Sequence, residues 1–131
     1  MDINYLLKNK NYPSIHDCTI AVIGMGYVGL PLAVEFAKKK ECNLSGNLLQ
    51  RSVIGFDINQ KRINSLISGI DSTGEVNQNE LSKVSFLDLT DSISSIARAD
   101  VFLVTVPTPI DKNKKPNLTA LKKASISVGK A

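Results

Sequence analysis

Short unbroken apolar runs alternate with apolar positions at helical spacing along this chain, the pattern of an α/β protein. The first run, 19–23, suits a parallel strand covered on both faces. A helix is predicted from near Gly26 to about Lys40, with Leu30, Ala33, Val34 and Ala37 on one face. Pro31 lies deeper in it than the favoured first position and is expected to bend or tighten its start. A second strand covers 52–57. Asn59 is placed to cap a helix with Ile63, Leu66, Ile67 and Ile70 inward. The polar stretch 71–83 has room for one helical turn over 78–83. A third strand is expected over 84–89, then a short helix capped by Asp91 and carrying Ile93, Ile96 and Ala97. The fourth strand, 101–106, stops at Pro107. A last helix begins near Asn117 with Leu118, Leu121, Ser125 and Val128 in register.

Strands joined by helices specify a doubly wound parallel sheet of Rossmann type, expected in the order 3-2-1-4 and truncated. The last helix leads to no further strand, so the chain is expected to be a fragment of a longer protein. Residues 1–17 read as a leader segment broken at Pro13, and 18–131 as the domain.

Composition adds limits. A chain of 131 residues with 43% hydrophobic and 21% charged residues suits one globular domain. No apolar run is long enough for a membrane span, and residues 1–17 lack the apolar stretch of a secretory signal, so a cytoplasmic location is expected. Cys18 and Cys42 fit no zinc spacing and read as free thiols; no metal site is expected. The net charge of +4 comes from scattered lysines, and the run Lys38–Lys40 falls at a helix C-terminus, where cations complement the dipole. Neither nucleic acid nor a membrane is expected as a partner.

Gly24-Met25-Gly26-Tyr27-Val28-Gly29 is a G-x-G-x-x-G directly after a strand and at the mouth of a helix, the context that makes the pattern a dinucleotide fingerprint. Gly24 suits the tight turn, Gly26 a close approach of backbone to pyrophosphate, and Gly29 close helix–strand packing. Free N–H groups at the helix start favour an anion. Asp57, at the tip of the second strand, suits the adenosine ribose hydroxyls and disfavours a 2′-phosphate, which selects NAD over NADP. It lies beyond the usual gap of about 20 residues, and the polar loop 42–50 reads as a surface insertion that absorbs the excess. Arg62 is placed to stack on adenine or reach a phosphate, or is simply a solvated helix residue. Val106, Pro107 and Thr108 follow the fourth strand, where ligands of this fold bind; a rigid loop without a ligand is the alternative.

The stretches 20–37, 53–63 and 104–110, with Lys115-Pro-Asn-Leu-Thr119, resemble the UDP-glucose/GDP-mannose dehydrogenase family over about residues 18–131. The Val-Pro-Thr-Pro form is most similar to the branch acting on UDP-N-acetylhexosamines. The resemblance implies that backbone groups of Met25, Tyr27 and Val28 hold the NAD phosphates. It implies that Asp57 binds the adenosine ribose with Arg62 nearby, and that Val106, Pro107 and Thr108 contact the cofactor near its middle. It further implies oxidation of a UDP-sugar C6 alcohol to a uronate with two NAD, through a cysteine-bound intermediate, by a homodimeric full-length enzyme. The family's catalytic cysteine, lysine and asparagine and its UDP-sugar domain lie beyond the equivalent of Ala131. Cys18 and Cys42 do not match the nucleophile, so no catalytic residue is expected here. Two other readings share the glycine loop and Asp57: a non-catalytic NAD(H)-sensing regulatory domain, and a dehydrogenase of hydroxy acids.

Overall fold

The computed structural model describes residues 13–131, so most of the expected leader segment lies outside the described residues. Four strands, β1 (Ile20–Ile23), β2 (Val53–Phe56), β3 (Leu87–Thr90) and β4 (Val101–Val104), form one parallel sheet in the order β3-β2-β1-β4. Ile20 pairs with Val53 on one side and Val101 on the other, and Val53 pairs with Leu87. The helices are α1 (Gly29–Lys38), α2 (Gln60–Ile67), α3 (Gln78–Lys83), α4 (Ile93–Ile96) and α5 (Thr119–Lys130). None is long and apolar enough to cross a membrane.

Alternation along the central strands divides the core. Ile20, Val22 and Val53 join Leu30, Ala33, Val34, Ile63 and Leu66 on the face covered by α1 and α2. Ala21, Ile23, Ile54 and Phe56 join Ile96 and Ala124 on the face covered by α4 and α5. Both faces of β1 and β2 are therefore buried, which is why those strands read as continuous apolar runs.

Several boundaries differ from the sequence expectation, each for a local reason. Helix α1 begins at Gly29 rather than Gly26, so Pro31 falls in the first turn, where backbone N–H groups have no partner inside the helix. Nothing is lost there, and no bend is required. Helix α2 ends at Ile67 in a Schellman motif: Gly69, at φ +79°, donates to Leu66 at 2.9 Å and Ile70 donates to Ser65 at 2.9 Å. The expected inward face therefore stops at Leu66, and Ile67 and Ile70 are exposed. Strand β3 starts three residues late, because Val84 serves as the buried C-cap of α3 and not as strand. Helix α4 is capped by Ser92 instead of Asp91, with no side-chain cap bond. Strand β4 ends at Val104, opposite Ile23, the last residue of its partner.

In α5 the inward face is Ala124 and Ser127, with Val128 beside them, while Leu118, Leu121 and Ser125 are exposed. Small residues let this helix lie close against the sheet, and Asn117 accepts from the Thr119 amide at 3.0 Å before the helix starts. The loop 42–50 closes on itself. Glu41 bridges Leu48 in antiparallel fashion, Cys42 donates to Asn47 at 2.9 Å, and Gly46 donates to Cys42 at 2.8 Å. It emerges between the end of α1 and the start of β2, at the sheet edge opposite the glycine loop.

Candidate functional site

The glycine loop leaves β1 at its carboxyl end, and its three glycines are held there for different reasons. Gly24 sits at φ +102°, a conformation that side chains disfavour. A Cβ on Gly29 would run into the Gly24 carbonyl and the Thr105 hydroxyl. A Cβ on Gly26 would meet nothing within 4 Å, so the space in front of that residue is open. The amides of Gly26, Tyr27 and Val28 make no hydrogen bond among the described residues, and they precede the N-terminus of α1. That combination of open space and unpaired donors at a helix start suits a phosphate anion.

Met25 is gripped from both sides. Its N–H donates to Asp57 Oδ2 at 2.9 Å, and its carbonyl accepts from Arg62 Nε at 2.7 Å. Its side chain is fully buried and fills the space left by Gly55, where a Cβ would stand 2.7 Å from the Met25 sulfur. The amide that the resemblance assigned to a phosphate is thus taken up by Asp57 in this structure. Asp57 Oδ1 accepts from the Asn59 amide at 2.9 Å, so both carboxylate oxygens are oriented at the tip of β2. Asn59 in turn caps α2 by accepting from the Arg62 amide.

Thr105 supports the loop from β4. Its hydroxyl lies 2.9 Å from the Gly24 carbonyl and 3.1 Å from the Ile23 carbonyl, and its amide donates to Ile23 at 2.9 Å. Sequence reasoning passed over this residue in favour of the Pro-Thr-Pro turn that follows.

A crevice of about 370 Å³ opens at this edge of the sheet. Gly24, Met25 and Gly26 form its floor with Asp57 and Arg62, and Val106 and Pro107 line it from the β4 side. Tyr27 and Val28 have exposed side chains outside it, Gly29 is buried beneath, and Thr108 is exposed and does not line it. Helix α5 supplies a wall that the sequence reading missed, made of Ala120, Lys123, Ala124 and Ser127. The small residues of that helix face were the available signal. Cofactor pockets in proteins commonly run to about 300–1,000 Å³, and a mostly apolar crevice with one carboxylate and an anion-binding turn at its floor fits an adenosine diphosphate. No group of three or more histidine, cysteine or acidic side chains among the described residues is arranged to hold a metal.

Arg62 is not solvated. Besides Met25, it meets Asp71 Oδ1 at 2.8 Å, Ser72 Oγ at 3.1 Å and Thr73 Oγ1 at 3.5 Å. The Asp71 side chain is fully buried; burial pushes its pKa up. Hydrogen bonds from the Thr73 hydroxyl and amide, the Val76 amide and Arg62 outweigh that and hold the carboxyl well below the usual range.

A glycine turn between a central strand and a helix, an acidic tip on the neighbouring strand and a crevice at the carboxyl edge define a dinucleotide-binding Rossmann domain. Residues 18–131 match the NAD binding domain of the UDP-glucose/GDP-mannose dehydrogenase family, and the chain belongs to that family. A UDP-N-acetyl-D-glucosamine 6-dehydrogenase of Pseudomonas aeruginosa is 54% identical over 114 residues, covering 87% of this chain and 24% of that protein. One of the same name from Salmonella typhi is 45% identical, covering 88% and 24%. The solved structure of a UDP-D-ManNAc dehydrogenase from Pyrococcus horikoshii superposes with a TM-score of 0.70 at 29% identity, over 86% of this chain and 25% of that one. The chain therefore spans about a quarter of the length of these relatives.

Proposed function

We propose that this chain is the NAD-binding part of a cytoplasmic nucleotide-sugar 6-dehydrogenase. The substrate is a UDP-sugar, a UDP-N-acetylhexosamine or UDP-glucose, and the working enzyme is a homodimer. Overall, the C6 alcohol, two NAD⁺ and one water give the uronate, two NADH and three protons. Bound NAD supplies the hydride acceptor. This chain's residues bind and orient it: the amides at 26–28 take the diphosphate and Asp57 takes the ribose diol. Arg62 borders the adenosine, Val106 and Pro107 line the approach to the middle of the cofactor, and Thr108 follows them outside the crevice. Cys18 and Cys42 take no part, since one lies before β1 and the other in the loop at the opposite edge of the sheet. The domain proper is 18–131, with 1–17 a leader.

The observation that carries this reading is the Asp57 carboxylate fixed 2.9 Å from the Met25 amide, which joins the tip of β2 to the glycine turn. The 54% identity to a UDP-N-acetyl-D-glucosamine 6-dehydrogenase supports the substrate class. Calorimetric titration of the chain with NAD tests the binding role: saturable binding weakened at least about tenfold by Asp57→Ala is expected, the scale of a lost charged hydrogen bond. Equal affinity of both proteins would refute it. The substrate is tested on the protein with its sugar-binding portion, by NADH absorbance with UDP-N-acetylglucosamine, UDP-N-acetylgalactosamine and UDP-glucose. No absorbance with any of them overturns the dehydrogenase assignment and favours an NAD(H) sensor.

A further inference from the structure

An arginine one turn beyond an acidic strand tip is the group that would receive the 2′-phosphate of NADP in this fold. Arg62 occupies that place in the sequence and lines the crevice. All three of its guanidinium nitrogens are nevertheless engaged: Nε by the Met25 carbonyl, one terminal nitrogen by Ser72, the other by Asp71 and Thr73. Its side chain is 11% exposed and that of Asp71 is 0% exposed.

Asp71 is itself immobilised. It accepts from the Thr73 amide at 3.0 Å, the Thr73 hydroxyl at 2.7 Å, and the Glu75 and Val76 amides at 3.0 Å each. Val76 is anchored in the core under α1 and α2. Turning Arg62 toward a ligand would strand a buried carboxylate with no cation beside it, a costly arrangement.

We infer that Asp71, although outside the crevice, is a specificity-determining residue: it holds Arg62 away from a 2′-phosphate and so reinforces the choice of NAD over NADP. This rests on the crevice being the dinucleotide site. Two carboxylates then exclude NADP in different ways. Asp57 repels the extra phosphate at the ribose, and Asp71 withholds the cation that would compensate.

The test is calorimetric titration of the 131-residue chain with NAD and with NADP. Asp57→Ser alone removes the repulsion and leaves the buried pair intact. It is expected to lose discrimination, with the two affinities within about threefold, and to gain no preference for NADP. Asp57→Ser with Asp71→Asn frees Arg62 and is expected to prefer NADP by about tenfold or more, the worth of one new charged contact. A tenfold preference for NADP in Asp57→Ser alone overturns the inference, as does a folded double variant without that preference. If circular dichroism shows the double variant unfolded, the single variant decides. A wild-type chain that binds neither dinucleotide overturns the site reading beneath, a result distinct from either outcome.

Discussion

The hydroxyl of Thr105, at the end of β4, donates to the carbonyl of Gly24, in the first turn of the glycine loop, at 2.9 Å. The residues are 81 positions apart in sequence, and the contact ties the loop to the strand on the opposite side from Asp57. The turn is thus held by Asp57 and Arg62 through Met25 and by Thr105 through Gly24.

Thr105→Val keeps the shape and removes the donor. It is expected to lower stability by about 1 kcal/mol, the usual net worth of such a bond. NAD affinity is expected to fall several-fold because the turn loosens. Thr105→Ser is expected to restore most of both. Thermal melts and NAD titration of the three proteins check this, and an unaltered Val variant would show the bond to be idle.

Gly26→Ala and Gly29→Ala separate binding from folding. The new methyl at 26 meets nothing within 4 Å, so the variant is expected to melt near wild type yet lose NAD binding, because the methyl occupies the approach of the diphosphate. At 29 the methyl collides with the Gly24 backbone, which cannot swing aside as a side chain would. A loss of at least about 1–3 kcal/mol is expected in urea unfolding. Similar unfolding midpoints for the two variants would contradict the division of roles.

Asp71 makes stability depend on acid. Its folded carboxyl is held well below the usual range, so its contribution is fully present above its unfolded value, near 4. That contribution fades as pH falls below 4 toward the folded value. Asp71→Asn is expected to cost about 3–5 kcal/mol at neutral pH, as when one partner of a buried pair is removed. It is also expected to flatten the acid side of a melting-temperature profile. A profile parallel to wild type below pH 4 would argue against it.

Cys42 provides a chemical probe of the loop. The Ser45 hydroxyl, then the Ser45 and Leu44 amides, hold its thiol down to about 6 against the effect of burial, with a smaller contribution from His16. Iodoacetamide labelling of Cys42 is expected to rise with a midpoint near pH 6, and Ser45→Ala to move that midpoint upward. Cys18 is buried and is expected to label slowly at any pH in this range. The same shift adds stability above the thiol's unfolded value and withdraws it as pH falls through 6.

Much of this architecture is legible in the amino-acid sequence. The runs at Ile20–Ile23 and Val53–Phe56 announced strands buried on both sides, and Leu30, Ala33, Val34 and Ala37 are all buried as their spacing implied. The sheet order is the one expected of the Rossmann type that the strand–helix alternation pointed to. The misses share one cause: periodicity counts apolar residues and does not see what ends a helix or how closely two elements approach. Ile67 kept the period but stands exposed as the last residue of α2, and Gly69 turns the chain before Ile70. In α5 the large Leu121 attracted the assignment while Ala124 and Ser127, small enough to lie against the sheet, took the inner face. At the site, glycine spacing and Asp57 were readable because their chemistry is local. The bonds from Thr105 and Asp71 were not, since each joins segments that only the fold brings together.

The self-closed excursion from Glu41 to Leu48 bears on how this domain can be altered. Its two ends are pinned by their own bridge, and β2 takes its position from its neighbours in the sheet rather than from the segment that delivers it. Length can therefore be added, trimmed or replaced there, with an affinity tag or a dye on Cys42, while the cofactor mouth at the far rim stays untouched: a natural handle on the side away from the chemistry.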